Sequence, residues 1–159
     1  MKKEMDIDLK EGVGIKTAVD IAIFNQKGQI LLGQRLAKAG FASWGFPGGH
    51  LRTNEKIKEA AQREIAEELG KEIQVNLTDE VLAVRENCIA PHFLHHLTII
   101  LRGNYLQGEP KVNEPKKCQE WAWFDLENLP SPLFSGIEET LQNYKTGRVL
   151  IVTDWEKTI

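Results

Sequence analysis

The sequence predicts an α+β fold with a mixed sheet held between helices. Two observations predict it: β-rich apolar runs fill both halves of the chain, and each set of runs is followed by one amphipathic helical stretch. A third observation sets the domain count. The 159 residues are 42% hydrophobic and carry no repeat, low-complexity tract or linker, so a single domain spanning 1–159 is expected, with 1–13 as a flexible N-terminal segment.

From the N-terminus, "TAVDIAIF" and "QILLGQRL" flank the turn "NQKG" and read as a hairpin that leads towards a glycine loop. Trp44 to Phe46 adds a short strand. "IQVNLTDEVLAVREN", "HFLHHLTIILRGNY" and "EWAWFDL" follow as further strand-forming runs. The last element is a helix over 132–144 with Leu133, Ile137 and Leu141 at i+4 steps.

Between the two strand sets lies "PGGHLRTNEKIKEAAQREIAEELG", a glycine loop followed by one helix. Gly48 and Gly49 allow positive φ and the close approach of a ligand. Asn54 is the expected N-cap, Glu55 complements the helix start, and Gly70 is the stop signal. Ile57, Ala61, Ile65 and Leu69 form an apolar stripe that buries one face. Glu64, Glu67 and Glu68 then share an outward arc in the last turns, where each anion opposes the macrodipole by about 0.3–1 kcal/mol. Like-charged neighbours at i, i+4 cost roughly 0.2–0.5 kcal/mol more. A hard divalent cation such as Mg²⁺ removes that repulsion, and carboxylates beside a loop that offers carbonyls are its usual donors.

The stretch "GHLRTNEKIKEAAQREIAEELGK" resembles the Nudix box, Gly-x5-Glu-x7-Arg-Glu-U-x-Glu-Glu-x-Gly-U with U apolar. Gly49, Glu55, Arg63, Glu64, Ile65, Glu67, Glu68 and Gly70 stand where the pattern asks. Lys71 departs from the final apolar position, and Asn54 replaces the glycine often found before the first box Glu. The resemblance runs from about Lys16 to Tyr144 and is nearest to the MutT-like nucleoside triphosphate diphosphatases. It implies the Nudix α/β/α sandwich and Mg²⁺-dependent attack of water on phosphorus, with Mn²⁺ as the alternative ion. The implied substrate is a nucleoside triphosphate cut to the monophosphate and pyrophosphate. Carried over by position, Glu64, Glu67 and Glu68 are metal ligands or their base, and the Gly48 carbonyl is a further ligand. Glu64 is preferred as base over Glu114, which fits the place of a downstream loop carboxylate. Arg63 is expected to point away from the acid arc and to orient a box carboxylate.

Specificity rests on the loops. The proline that marks ADP-ribose members is replaced here by "VRENC", and the coenzyme A signature is absent ahead of the box. A nucleotide-sugar hydrolase of the GDP-mannose type is the enzymatic alternative; a non-catalytic nucleotide-sensing module is the other. Arg35 and Lys38 are expected on phosphate oxygens. Gly49 is expected to admit the substrate, and Phe134, Gly136 and Ile137 to contact the base. Trp121 and Trp123, two apart on a strand, point to one face and are expected in core or subunit packing. His92 and His96 lie on or beside a strand, where helical i, i+4 spacing loses its meaning, so they are not read as a zinc pair.

Composition excludes several classes. A formal net charge of −3 gives no basic field for a nucleic-acid polymer, and the basic cluster "PKVNEPKKC" contains its own Glu114. Cys88 and Cys118 show neither CxxC spacing nor a disulfide framework. No apolar stretch is long enough for a membrane span. A cytoplasmic protein with a nucleotide substrate is expected, and a homodimer is the assembly left open.

Overall fold

The alternation of "IKTAVDIAIF" along β1 (Ile15–Phe24) divides the interior in two. Val19, Ile21 and Ile23 point to one face of the sheet, where Ala60, Ala61, Ile65 and Leu69 of α1 (Ile57–Leu69) cover them. Ala22 and Phe24 point to the other, beneath Ile137 and Leu141 of α2 (Ile137–Tyr144). A strand covered on both faces must be apolar almost throughout, which explains the run in β1. Each Val, Ile, Leu or Phe among these side chains contributes roughly 1.5–3 kcal/mol by leaving water. The structure is a computed structural model describing residues 14–89, 94–144, 146–147 and 150–155.

The remaining strands are β2 (Ile30–Arg35), β3 (Trp44–Gly45), β4 (Gly48–His50), β5 (Gln74–Ile89), β6 (Leu94–Gln107), β7 (Cys118–Phe124) and β8 (Leu150–Trp155). The sheet runs β3-β2-β1-β6-β5-β8, with β4 also on β1 and β7 on β2. β1 lies parallel to β6 from Ile15↔His95 to Phe24↔Asn104, and β8 lies parallel to β5. The other pairings are antiparallel. This is the expected mixed sheet between helices.

Four expectations need correction. The glycine loop is partly a strand, because Gly48, Gly49 and His50 pair with Asp20, Val19 and Ala18. The box helix starts at Ile57 with Lys56 as N-cap, since Asn54 adopts φ 63° in the preceding turn. Ile57, the expected first member of the stripe, is 36% exposed. The final helix begins at Ile137, because Leu133 bridges Trp44 and the Phe134 N–H donates to the Trp44 carbonyl at 2.8 Å. Residues 1–13, Pro91 and His92 lie outside the described residues. No described helix is long and apolar enough to cross a membrane.

Candidate functional site

β1 and β2 meet only at the hairpin, through Phe24↔Ile30, and β4 takes the place beside β1 that β2 leaves. That exchange brings a glycine-rich strand against the acidic end of α1. A Cβ on Gly49 would stand 2.5 Å from Glu64 Oε1, so only glycine allows the strand to lie over this carboxylate. The Gly49 requirement is steric; its backbone is not in the left-handed region. The Gly48 N–H donates to Glu68 Oε2 at 3.0 Å.

The three acids do not share an outward arc. Glu64 is buried at 9% exposure, Glu68 is half-buried and Glu67 is exposed. Burial raises the Glu68 carboxyl to about 8; the Gly48 N–H opposes the shift, while the charges of Glu64, Glu114 and Asp20 reinforce it. Arg63 lies within the cluster instead of pointing away from it. Its Nε and Nη2 donate to Glu55 at 2.6 and 2.9 Å, and its Nη1 donates to Glu64 at 2.5 Å and to Glu67 at 3.2 Å. Nη2 also reaches the His50 carbonyl at 3.1 Å, joining helix to strand. Arg63 holds Glu55 well below the usual carboxylate range, at about 2, with help from the Arg52 N–H.

The end of α1 tolerates its anions because a distant loop supplies donors. The Lys111 N–H donates to the Leu69 carbonyl at 2.8 Å, and the Asn113 N–H to that of Glu68 at 3.2 Å. The Asn113 amide reaches the Ala66 carbonyl at 3.4 Å. These bonds satisfy the orphan carbonyls whose partial negative charge the carboxylates would otherwise face.

Glu64, Glu67, Glu68, Gly48, Gly49 and Arg63 line one wall of a cleft of about 630 Å³. Arg35 and Phe134 line it too, with the guanidinium 4.3 Å from the centroid of the ring. Burial lowers the Arg35 pKa, against the opposing attraction of Asp20. The other expected residues are not brought in. Lys38 is exposed and off the cleft. Gly136 is buried, and Ile137 is fully buried in the core under α2, which removes it from base contact. Glu114 pairs with Lys117 at 2.8 Å; Lys117 lines the cleft and Glu114 does not. Trp121 and Trp123 pack against the α1-side core, as expected, and Trp121 also reaches the cleft beside Gly33.

Sequence reasoning missed Asp20, Arg85, Asn87, Thr98, His50 and His96, all of which line the cleft. Asp20 was the one visible signal, a carboxylate inside an apolar strand. The rings of His50 and His96 lie 5.5 Å apart, and the His95 ring instead meets Glu86 at 2.8 Å.

The donor set suits a hard cation: carboxylate oxygens, one of them raised by burial first and by neighbouring anions second, beside a half-buried glycine backbone. The set is not preassembled. Among the described residues no three acidic or imidazole groups converge on one point, because Arg63, Arg52 and the Gly48 N–H hold the carboxylates. Glu67 is engaged by Arg52 and Arg63, and Glu68 by the Gly48 N–H.

Comparison with known proteins bears on this site. The family model described as NUDIX domain matches residues 14–144. An oxidized purine nucleoside triphosphate hydrolase of Danio rerio is 31% identical over 105 residues, 66% of this chain and 64% of that protein, so the match spans less than two thirds of the relative. An RNA pyrophosphohydrolase of Bartonella bacilliformis is 27% identical over 146 residues, covering 76% of this chain and 83% of that protein. The crystal structure of a MutT NUDIX hydrolase from Burkholderia pseudomallei superposes with a TM-score of 0.72 at 31% identity, covering 81% of this chain and 97% of that one.

Proposed function

The chain belongs to the NUDIX family, and from that premise we propose that it hydrolyses nucleoside triphosphates to the monophosphate and pyrophosphate. The observation that carries this reading is the meeting, in one cleft, of the acids of α1, the Gly48–Gly49 backbone and the half-buried Arg35. Glu67, Glu68, Glu64 and the Gly48 carbonyl would hold Mg²⁺, with Mn²⁺ as the alternative. Bound there, the ion would neutralise charge on the phosphate oxygens as the phosphorus–oxygen bond breaks.

The chain's own groups account for the rest. Arg35, desolvated and with its terminal nitrogens free of any acidic partner in bonding distance among the described residues, binds a phosphate oxygen. Glu64 accepts the proton of the attacking water, oriented by Arg63. Phe134 and the sheet floor around Thr98 enclose the nucleoside. Lys117, which lines the cleft, pairs with Glu114, the alternative base, which does not line it.

The name of the Bartonella relative, RNA pyrophosphohydrolase, makes a pyrophosphate bond on an RNA the reading to test against, and the overall charge of −3 disfavours it. Turnover with Mg²⁺ across (deoxy)nucleoside triphosphates, 5′-triphosphorylated RNA, ADP-ribose and GDP-mannose, run in ¹⁸O-water, separates these. The expected result is triphosphate turnover with label on the nucleoside monophosphate. Release of single orthophosphate, or turnover confined to RNA or to a nucleotide sugar, overturns the reading.

A further inference from the structure

We propose that Arg85 is a positioning residue that sets the span between the two ends of the cleft. The inference rests on the reading of that cleft as a nucleotide site. Arg85 stands on β5, three strands away from β4, and is 5% exposed. Its Nη2 donates to Asp20 Oδ2 at 3.1 Å, and its Nη1 donates to the Ser135 carbonyl at 2.9 Å. The guanidinium centre lies 5.1 Å from the centroid of Phe134. One planar group therefore ties β1 to the segment that precedes α2.

Each tether ends at the cleft. Asp20 pairs in register with Gly48, and its Oδ1 lies 2.5 Å from where a Cβ on Gly48 would be, so the carboxylate lies close against the glycine backbone at the acidic end of the cleft. Ser135 adjoins Phe134, the wall at the nucleoside end. A guanidinium suits this task because it is rigid and holds two acceptors in fixed directions, which an ammonium cannot do. The pair is also a costly way to fill a core. Asp20 and Arg85 side chains are only 15% and 6% exposed, and Arg85 Nε has no partner among the described residues. Apolar residues of similar volume often serve stability as well or better, so stability alone does not account for the buried pair. The geometry of the cleft does, since misplacing a bound group by a fraction of an ångström to an ångström is enough to weaken a site.

The double variant Asp20→Leu/Arg85→Met separates the two roles, with Arg85→Lys as the companion. Melting temperature, kcat, KM and the Kd of a non-hydrolysable α,β-methylene triphosphate are measured for each. The proposal expects the double variant to melt near wild type while KM and Kd rise about tenfold and kcat changes less than about threefold. Arg85→Lys, which keeps the charge but reaches one acceptor, should still raise KM and Kd at least about threefold. A double variant with wild-type KM and Kd overturns the proposal. Should the double variant not fold, Arg85→Lys decides alone: an unchanged KM overturns, a raised KM supports. Wild-type protein that neither binds nor turns over any nucleotide sinks the proposed function itself, and this inference with it. Wild-type turnover with indifferent variants sinks only the inference.

Discussion

Gly49 and Glu64 interlock so closely that one methyl group tests the site. A Cβ at Gly49 would fall 2.5–2.8 Å from all three atoms of the Glu64 carboxyl, and Glu64 is anchored by its helix and by Arg63. Gly49→Ala should therefore swing the carboxylate out of place and lower kcat by about a hundredfold, within the range for a misplaced general base, with a far smaller loss of stability. Activity within twofold of wild type would remove Glu64 from the chemistry. Glu68→Gln gives the complementary case, with loss of turnover and retention of fold. The nucleoside end offers a sharper contrast between neighbours. Ile137→Ala should cost about 2–5 kcal/mol of stability and leave KM unchanged, because the side chain is wholly inside the core. Phe134→Ala removes the ring that faces Arg35 and should raise KM about tenfold at modest cost to stability. Equal KM effects from the two variants would show that the nucleoside end has been misplaced.

At the scale of the element, α1 is a helix whose acidic end depends on Arg63 and on the donors of Lys111 and Asn113. Arg63→Ala removes bonds to Glu55, Glu64 and Glu67 at once, leaving carboxylates that repel. The expected cost without metal is about 2 kcal/mol, as for hydrogen bonds to charged groups, with much of it recovered on adding Mg²⁺. Thermal unfolding in chelator and in Mg²⁺ reads both; a loss equal in the two conditions contradicts the idea that Arg63 and a cation restrain the same acids. This helix was the most legible part of the sequence, because a 3.6-residue period survives in "IKEAAQREIAEEL" whatever it packs on. β4 was not legible, since glycine is depleted in strands and "GGH" pairs only through its backbone. The early part of the last helix was misread because Leu133 satisfies the i+4 periodicity yet bridges Trp44, while the neighbouring Phe134 N–H bonds the Trp44 carbonyl, a tertiary contact that local pattern cannot register. Of the site, the box acids and Arg35 were readable from spacing and position. Arg85, Asn87 and Thr98 were not, because they reach the cleft only through the sheet, where β6 lies beside β1 and β5 beside β6.

For the molecule as a whole, a cation held at the acid cluster would couple folding to protons and to metal. The folded Glu68 carboxyl titrates near 8 through burial first and like charges second, against 4.5 for the free group. A carboxyl raised by folding binds its proton more tightly in the native state, so its favourable contribution is complete below the unfolded value near 4.5 and is lost as pH rises through about 8. In chelator the melting temperature should therefore fall as pH is raised from 6 to 9. A divalent cation replaces the proton, so saturating Mg²⁺ should flatten this slope and bind more tightly as pH rises, with a proton released on binding. At a hundredfold excess over Kd the cation should add about 2.7 kcal/mol. For a chain of this size that corresponds to a rise of roughly 5–10 °C in melting temperature. Glu68→Gln has no titrating group at this position and should lose most of the pH slope in chelator along with the gain from Mg²⁺. Wild-type melting curves that respond to neither pH nor Mg²⁺ would show that the cluster is ordinary surface charge, and the cleft would then need another source for its chemistry.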